Sequence, residues 1–206
     1  RALVPIDDVP SSLRSNSVNV WLGPRSHTVA YPVRNGQSMN LVSIVEAQGR
    51  EPAHGWDTQA PGADLCALLG AGCASLAALT QLPPSWRVWS LHDRPPMRSA
   101  AEMARGRVAL LGDAAHPMLP YLAQGTAMAL EDAAELARVL LPGTEDVPAA
   151  LQSYADHRWE RCARTQQLAR RNGEVFHAQG LMRWGRDLAL RMAGRRLMDQ
   201  PWLYGA

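Results

Sequence analysis

The chain lacks the features that mark several classes of protein. Its three cysteines, Cys66, Cys73 and Cys162, have neither metal-ligand nor disulfide-framework spacing, so we interpret them as reduced thiols and expect no metal site. The net charge of +2, without a run of like charges, gives no basis for a nucleic-acid partner. No apolar run reaches membrane-spanning length. These absences favour a soluble, cytoplasmic protein.

The phosphate-binding fingerprint of a dinucleotide-binding unit is also missing. That fingerprint is Gly-x-Gly-x-x-Gly between a strand and a helix. The nearest match, Gly70-Ala-Gly72-Cys-Ala-Ser75, ends in serine and lies inside a helix predicted over 63–81. No strand is predicted directly before it, so we interpret it as a chance match.

The stretch from 106 to 141 carries the strongest pattern. Val108 to Leu111 form an apolar run that predicts a buried strand, and Gly112 ends it. Asp113 then stands at the carboxyl end of that strand, where open α/β sheets bind ligands. A loop follows, and Gly125 opens a predicted helix whose first N–H groups have no intrahelical partner. Taken singly, Asp113 is as well explained as the cap of a turn, and Gly125 as the start of a helix.

Taken together, these residues resemble a known motif. Gly112-Asp113-Ala-Ala-His116, Pro120, Gly125 and Glu131-Asp132-Ala133 match in register the second flavin-contacting motif of class A FAD-dependent aromatic hydroxylases. The similar subgroups act on salicylate, 3-hydroxybenzoate or 6-hydroxynicotinate. The resemblance implies that FAD is bound by Gly112, Asp113, Pro120, Gly125, Thr126 and Ala127. Asp113 is expected to bind a ribityl hydroxyl, and the amides at the helix start are expected to meet the flavin ring. His116 is expected to support the loop.

The resemblance also implies an activity. In this family NAD(P)H reduces FAD, O2 adds at the flavin C4a atom, and the resulting hydroperoxide transfers one oxygen to an activated aromatic ring. The implied partners are a small aromatic substrate and O2, with a homodimer as a possible assembly. The segment Arg1-Ala-Leu-Val-Pro5 lies well inside the chain of family members. We therefore expect a C-terminal portion whose nucleotide-binding half is missing, inactive alone. The alternatives are a flavin oxidoreductase acting on a non-aromatic or quinone-like substrate, and a truncated non-catalytic module.

The candidate substrate residues lie among three predicted strands, over 18–22, 28–34 and 39–45. The Asn35-Gly36 pair predicts a two-residue hairpin, so the strands should form an antiparallel meander. His27 and Tyr31 are four residues apart and share one face of a strand. The resembled hydroxylases use a His and a Tyr at this spacing to bind a phenolic substrate, which makes both residues candidates for catalysis, with Tyr121 as a further substrate contact. The alternative is a solvated His27 and a core Tyr31.

The predicted fold is mixed α/β (α+β) with two domains. Residues 1–98 should form an antiparallel substrate-binding sheet domain. Residues 99–206 should form the C-terminal part of a Rossmann-like FAD-binding domain. A linker is predicted over 49–62, a further strand over 87–91, and helices over 148–171 and 175–192 with a break at Asn172-Gly173. The arginines at 158, 161, 164, 170 and 171 are expected to form a solvated face.

Overall fold

The computed structural model describes residues 1–46, 55, 58–70, 72–194 and 201–204. The chain divides into a first unit, formed by Arg1–Ser90 with Val175–Ala206, and a second unit, Leu91–Glu174. The predicted domains, 1–98 and 99–206, stay a prediction, because compactness does not reveal what each part binds. The mixed α/β composition of the chain is confirmed.

An antiparallel sheet of four strands forms the centre of the first unit. Its strands are β1 (Ala2–Pro5), β2 (Asn19–Gly23), β3 (Ser26–Val33) and β4 (Ser38–Val45), in the order β1-β4-β3-β2. The meander predicted for the three consecutive strands is confirmed. One face of the sheet packs on a core of large apolar side chains, which includes Val4, Met39, Leu41, Leu79 and Trp86.

The turn between β3 and β4 is longer than predicted. Val33 pairs with Ser38, so four residues form the turn rather than two. Arg34, Asn35 and Gly36 have φ angles of 52°, 55° and 81°. The Asn-Gly pair correctly marked two positions with positive φ. The Asn-Gly pattern did not predict the positive φ of Arg34, because arginine rarely adopts this backbone region and its presence does not indicate a turn.

A second, two-stranded sheet and two helices complete this part of the first unit. Strand β5 (Thr58–Pro61) pairs antiparallel with β6 (Ser85–Val88). The linker predicted over 49–62 is therefore wrong at 58–62, where β5 and the start of a helix lie. Residues 49–54, 56 and 57 are outside the described part of the chain. The strand predicted over 87–91 begins and ends earlier, as β6.

The helix predicted over 63–81 is two helices, α1 (Gly62–Leu69) and α2 (Ala74–Thr80). Gly70 ends α1 with a φ of +67°, a conformation that glycine adopts without a steric penalty. The single-helix prediction is wrong because the glycine is used as a helix terminator. The Gly70-x-Gly72 pattern thus follows a helix rather than a strand, unlike a phosphate-binding turn.

The second unit contains a short hairpin and two long helices. The hairpin pairs β7 (Ala104–Arg105) with β8 (Val108–Ala109). The two helices are α3 (Gly125–Val139) and α4 (Val147–Phe176). The last two residues of α4, Val175 and Phe176, belong to the first unit. Their core includes Met103, Ala115, Leu151, Tyr154 and Cys162. The hydroxyl of Tyr154 donates a hydrogen bond of 2.9 Å to the carbonyl of Leu110, which fixes the end of the hairpin to α4.

The prediction of a buried strand over 108–111 is wrong. Strand β8 has two residues, and Val108 and Leu111 are 65% and 41% exposed. Within the described residues β8 pairs with β7 alone, so no second strand covers it. An apolar run indicates that a segment favours a buried position, but the segment is buried only where other parts of the protein pack against it.

Helix α4 continues through the predicted break at Asn172-Gly173. The aromatic ring of Tyr121 lies against Gly173, where a Cβ atom would come within 2.7 Å of the ring. Gly173 therefore provides a notch for the ring instead of ending the helix. The break lies after Phe176, and α5 (Gly180–Ala193) and α6 (Pro201–Tyr204) follow. Among the described residues, no helix has both the length and the apolar character needed to cross a membrane.

The notch at Gly173 generates a packing prediction. We expect Gly173→Ala to lower the free energy of unfolding by about 1–3 kcal/mol, because the added methyl displaces the ring of Tyr121. In a Tyr121→Ala background the same substitution should instead stabilise the protein by up to about 1 kcal/mol, since alanine favours helix over glycine. Urea unfolding of the four variants measures both values. A stabilising Gly173→Ala in the presence of Tyr121 would contradict the packing described.

Candidate functional site

Gly112 and Asp113 form a sharp turn after β8. Gly112 is buried with a φ of +55°, and a Cβ atom there would lie 3.2 Å from the Cβ of Ala129 in α3. Both facts require glycine at this position. Asp113, the next residue, is exposed. Within the described part of the chain its carboxylate makes no hydrogen bond, so the alternative interpretation as a turn cap lacks a capping bond.

A buried carboxylate, Asp132, holds the Gly112-Asp113 turn in place through a hydrogen bond to its backbone. Asp132 in α3 accepts hydrogen bonds from the Gly112 amide at 3.0 Å, from His116 Nε2 at 2.6 Å and from Arg158 Nε at 2.8 Å. Asp132, His116 and Arg158 are all buried. His116 therefore supports the loop, as expected. The Gly-Asp and Glu-Asp segments of the motif, far apart in sequence, are joined by a direct hydrogen bond.

The arginines of α4 are only partly a solvated face. Arg158 is buried, and besides Asp132 it contacts Glu131, with Nη1 2.6 Å from Oε2. Arg161 also pairs with Glu131, at 2.7 Å and 2.8 Å. The prediction of a solvated face is wrong for Arg158 because its acidic partners lie on another helix. Sequence reasoning missed this residue, although Glu131-Asp132 in the motif was a signal that a buried cation was needed.

The electrostatics of the cluster favour an ion-pair network. Burial acts to raise the pKa of Asp132, but hydrogen bonds from His116, the Gly112 amide and Arg158 outweigh it and hold the pKa below its usual value. Burial and the nearby Asp132 carboxylate raise the pKa of the Cys162 thiol to about 12. His116, Asp132 and Cys162 present ligand atoms within 4.8 Å of one another. Arg158 already supplies the positive charge at this position, which argues against a metal ion there.

The start of α3 lies beside Asp113. A Cβ atom at Gly125 would be 3.9 Å from Oδ1 of Asp113. The side chain of Gln124 makes no capping hydrogen bond, and within the described residues the N–H groups of Gly125, Thr126 and Ala127 have no partner. A carboxylate acceptor next to a row of amide donors fits a ligand that has both hydroxyl groups and an electron-rich ring edge.

The loop before α3 brings Pro120 and Tyr121 into a short 3-10 helix, Pro120–Leu122. Pro120 is exposed and Tyr121 is half-buried. The backbone carbonyl of Tyr121 accepts a hydrogen bond of 3.3 Å from the Asn172 side chain. Ala123 then adopts a left-handed conformation with a φ of 54° and ends this short helix. The loop is therefore held by α4 at its backbone and at its aromatic ring.

In the first unit, His27 and Tyr31 both lie on β3, and the i and i+4 spacing places them on one side of the strand. Tyr31 is half-buried, whereas His27 is 3% exposed, so the alternative of a solvated His27 is wrong. His27 Nδ1 lies 2.8 Å from His177 Nε2, and the ring of Phe176 meets His27 edge-on at 5.4 Å. Burial, with a smaller contribution from His177, lowers the pKa of His27 to about 4.

Sequence reasoning missed His177. Its Nδ1 lies 2.7 Å from Oε1 of Glu46, at the end of β4. The residue lies 150 positions from His27, beyond the reach of any local pattern. No ligand-like spacing marks His177 in the sequence.

Comparison with protein families identifies the chain. A family model described as an FAD binding domain matches residues 4–171, which is most of the chain. The chain belongs to this FAD-binding family. The resemblance inferred from the Gly112–Ala133 motif is thereby confirmed at the level of the family, and the exposed Asp113 beside the α3 amides fits FAD as its cofactor.

Relatives within this FAD-binding family include several aromatic hydroxylases. A 3-hydroxybenzoate 6-hydroxylase from Polaromonas naphthalenivorans (strain CJ2) is 37% identical over 207 residues, covering 100% of this chain and 50% of that protein. A salicylate hydroxylase from Pseudomonas putida is 35% identical over 167 residues, covering 76% of this chain and 37% of that protein. The chain thus spans about half the length of the 3-hydroxybenzoate 6-hydroxylase and a smaller share of the salicylate hydroxylase.

Solved structures agree with this family assignment. A salicylate hydroxylase in complex with substrate superposes with a TM-score of 0.78 at 27% identity, covering 95% of this chain and 52% of that chain. HpxO of Klebsiella pneumoniae, solved with FAD and uric acid, has a TM-score of 0.75 at 24% identity, covering 95% of this chain and 49% of that chain. The second similarity shows a shared fold.

The Asp132 cluster generates a stability prediction. Arg158→Met should cost about 3–5 kcal/mol of unfolding free energy, because it leaves a buried carboxylate without its cation. A matched control is Arg138→Met, which removes an exposed arginine 2.6 Å from Glu135 and should change stability little. Denaturant unfolding measures both. Equal effects of the two substitutions would show that burial adds nothing to the Asp132 pair.

The lowered pKa of His27 generates a pH prediction. Between about pH 6.5, the ordinary value, and about pH 4, the unfolded chain binds a proton on this residue that the folded chain does not. Stability should therefore fall as pH drops through this window, and His27→Gln should show a shallower decline. Unfolding followed at several pH values tests this, with His157→Gln, an exposed histidine, as control. Parallel curves for wild type and His27→Gln would contradict the assignment.

Proposed function

We propose that the protein to which this chain contributes is an FAD-dependent monooxygenase that hydroxylates a small aromatic substrate, using NAD(P)H and O2. The observation that carries the proposal is the exposed Asp113 carboxylate, held by a buried Asp132 beside the first amides of α3, which have no partner within the described residues. The aromatic hydroxylases among its relatives support a phenolic or hydroxy-carboxylate substrate. A cytoplasmic location and a homodimer stay predictions.

In this proposal Asp113 accepts a hydrogen bond from a ribityl hydroxyl of FAD, since a carboxylate is a strong acceptor for a polyol. The amides of Gly125, Thr126 and Ala127 stabilise negative charge at the flavin edge. Gly112 and Pro120 shape the backbone on either side. When bound, FAD supplies the redox chemistry, taking electrons from NAD(P)H and activating O2 for transfer of one oxygen atom.

The substrate is assigned to His27, Tyr31 and Tyr121. Oxygen transfer to an aromatic ring is electrophilic, so the ring reacts faster when its phenolic proton is held or removed by a base. His27 is the candidate base, because imidazole has a lone pair for that proton. Tyr31, on the same side of β3, offers a hydroxyl to orient the substrate. Tyr121 offers an aromatic ring held in place by Gly173 and Asn172.

Asp113 provides the test of the cofactor assignment. In the full-length protein, Asp113→Ala should weaken FAD binding by about 1.5–3 kcal/mol, the usual value of a hydrogen bond to a charged group. The stability of the FAD-free protein should change little, since Asp113 makes no hydrogen bond within the described residues. Flavin fluorescence titration and thermal unfolding of the FAD-free form measure the two quantities.

The matched control is Asp8→Ala. Asp8 is another exposed carboxylate in the first turn of a 3-10 helix, Ile6–Asp8, outside the candidate site. It should leave FAD affinity unchanged. If Asp113→Ala collapses the FAD-free protein while the folded fraction binds FAD normally, Asp113 has a structural role and the cofactor assignment is wrong.

A further inference from the structure

One buried glutamine links two segments of the second unit that are distant in sequence. Gln166 lies on α4 and is 2% exposed. Its Oε1 accepts a hydrogen bond of 3.2 Å from the backbone amide of Met97, and its Nε2 donates one of 3.1 Å to the backbone carbonyl of Pro117. The side chain therefore joins the segment around Met97 to the loop that precedes α3.

These two backbone groups determine the orientation of the Gln166 amide. An N–H group only donates and a carbonyl only accepts, so the amide oxygen must face Met97 and the nitrogen must face Pro117. A methionine has the same length but offers neither function, and an ionised glutamate offers acceptors only. The two contacts together therefore require a carboxamide at this position.

The loop that Gln166 contacts has few hydrogen bonds of its own. Pro117 and Pro120 have no N–H group, and within the described residues the amides of Met118 and Leu119 donate no hydrogen bond to the backbone. Because the loop has no ladder of backbone hydrogen bonds, neighbouring elements must fix its position. Gln166 supplies such a bond at the start of the loop.

The other end of the loop is held by the same helix. The side chain of Asn172 donates a hydrogen bond of 3.3 Å to the carbonyl of Tyr121, whose ring lies against Gly173. Gln166 and Gly173 are about two helical turns apart, so they lie on the same side of α4. Between these two points of attachment lies the exposed Pro120, which is assigned to FAD above.

We propose, resting on the proposed function, that Gln166 is a positioning residue for FAD. By holding the Pro117 carbonyl against α4, it sets where the loop presents Pro120 to the flavin ring. Because Gln166 is buried and both ends of its amide are engaged, it acts through the loop rather than by contact with the flavin.

The test uses the full-length protein and Gln166→Met, which keeps the length of the side chain and removes both hydrogen bonds. FAD affinity should fall by about three- to tenfold, the usual effect of losing one intramolecular hydrogen bond. The visible absorption spectrum of the bound FAD should also shift, because the displaced loop presents different atoms to the flavin ring. Flavin fluorescence titration and spectra of the FAD-saturated protein measure the two effects.

The matched control is Gln167→Met. Gln167 is the next residue of α4 and is exposed, so the same substitution there should change neither the FAD affinity nor the spectrum. A purely structural Gln166 leads to a different result. Gln166→Met would then lower the Tm of the FAD-free protein, while the folded protein would bind FAD with wild-type affinity and an unchanged spectrum. That result overturns the proposal.

A shorter carboxamide provides a second, milder variant. Gln166→Asn keeps the donor and the acceptor but lacks one methylene group, so it cannot reach both backbone groups. It should change the FAD affinity and the spectrum in the same direction as Gln166→Met. A Gln166→Asn protein with a lowered Tm but wild-type FAD affinity and spectrum also contradicts a positioning role.

Failure of this proposal is distinguishable from failure of the proposed function. If Asp113→Ala weakens FAD binding and Gln166→Met does not, Gln166 is not a positioning residue and the cofactor assignment stands. If neither variant weakens FAD binding, both assignments are wrong. If both variants weaken FAD binding in a protein that oxidises no aromatic substrate, the hydroxylase assignment is rejected and the role of Gln166 is supported.

Discussion

The second unit depends on one buried carboxylate. Asp132 accepts hydrogen bonds from the backbone amide of Gly112, from His116 and from Arg158, which belong to three different segments of the chain. A buried charge is tolerated only when it is paired and hydrogen-bonded, so each of these segments is held where Asp132 needs its donor. The position of Asp113, which is exposed, follows from the position of its buried neighbour Gly112.

A carboxylate and a histidine are combined differently in the two units. In the Asp132–His116 pair both side chains are fully buried and an arginine balances the charge. In the Glu46–His177 pair the carboxylate is half exposed, and the histidine contacts a second imidazole. The first arrangement has no access to solvent and suits a fixed support. In the second arrangement the carboxylate end is in contact with solvent.

Sequence predicted the local features of the fold well and the distant ones poorly. The meander of β2 to β4 was predictable, because strand alternation and the Asn35-Gly36 turn are local signals. The Gly112–Ala133 motif identified the family, because its fixed spacings describe a single turn and helix. The partners Arg158 and His177 were missed, since pairing over 26 and 150 residues depends on packing that no short pattern encodes.

Glycine and apolar runs gave the least reliable predictions, for opposite reasons. Gly70 ends α1 inside a segment that was predicted to be one continuous helix. Gly173 lies inside α4, at a position where a helix break was predicted. The difference lies in the neighbour: Gly173 faces an aromatic ring, whereas a Cβ at Gly70 would meet nothing within 4 Å. Val108 was apolar and predicted to be buried, but within the described residues one short strand pairs with it.

The close approach of Tyr121 to Gly173 has a consequence for efforts to alter what the protein binds. Position 121 is an obvious target for saturation mutagenesis, because it lies in the loop before α3. The space for its ring exists only because position 173 has no side chain. A library that varies position 121 alone tests every side chain against a helix surface that has glycine at position 173. A small residue at position 121 leaves the space beside Gly173 empty, and a larger residue at position 173 then fills that space. The two positions should therefore be varied together.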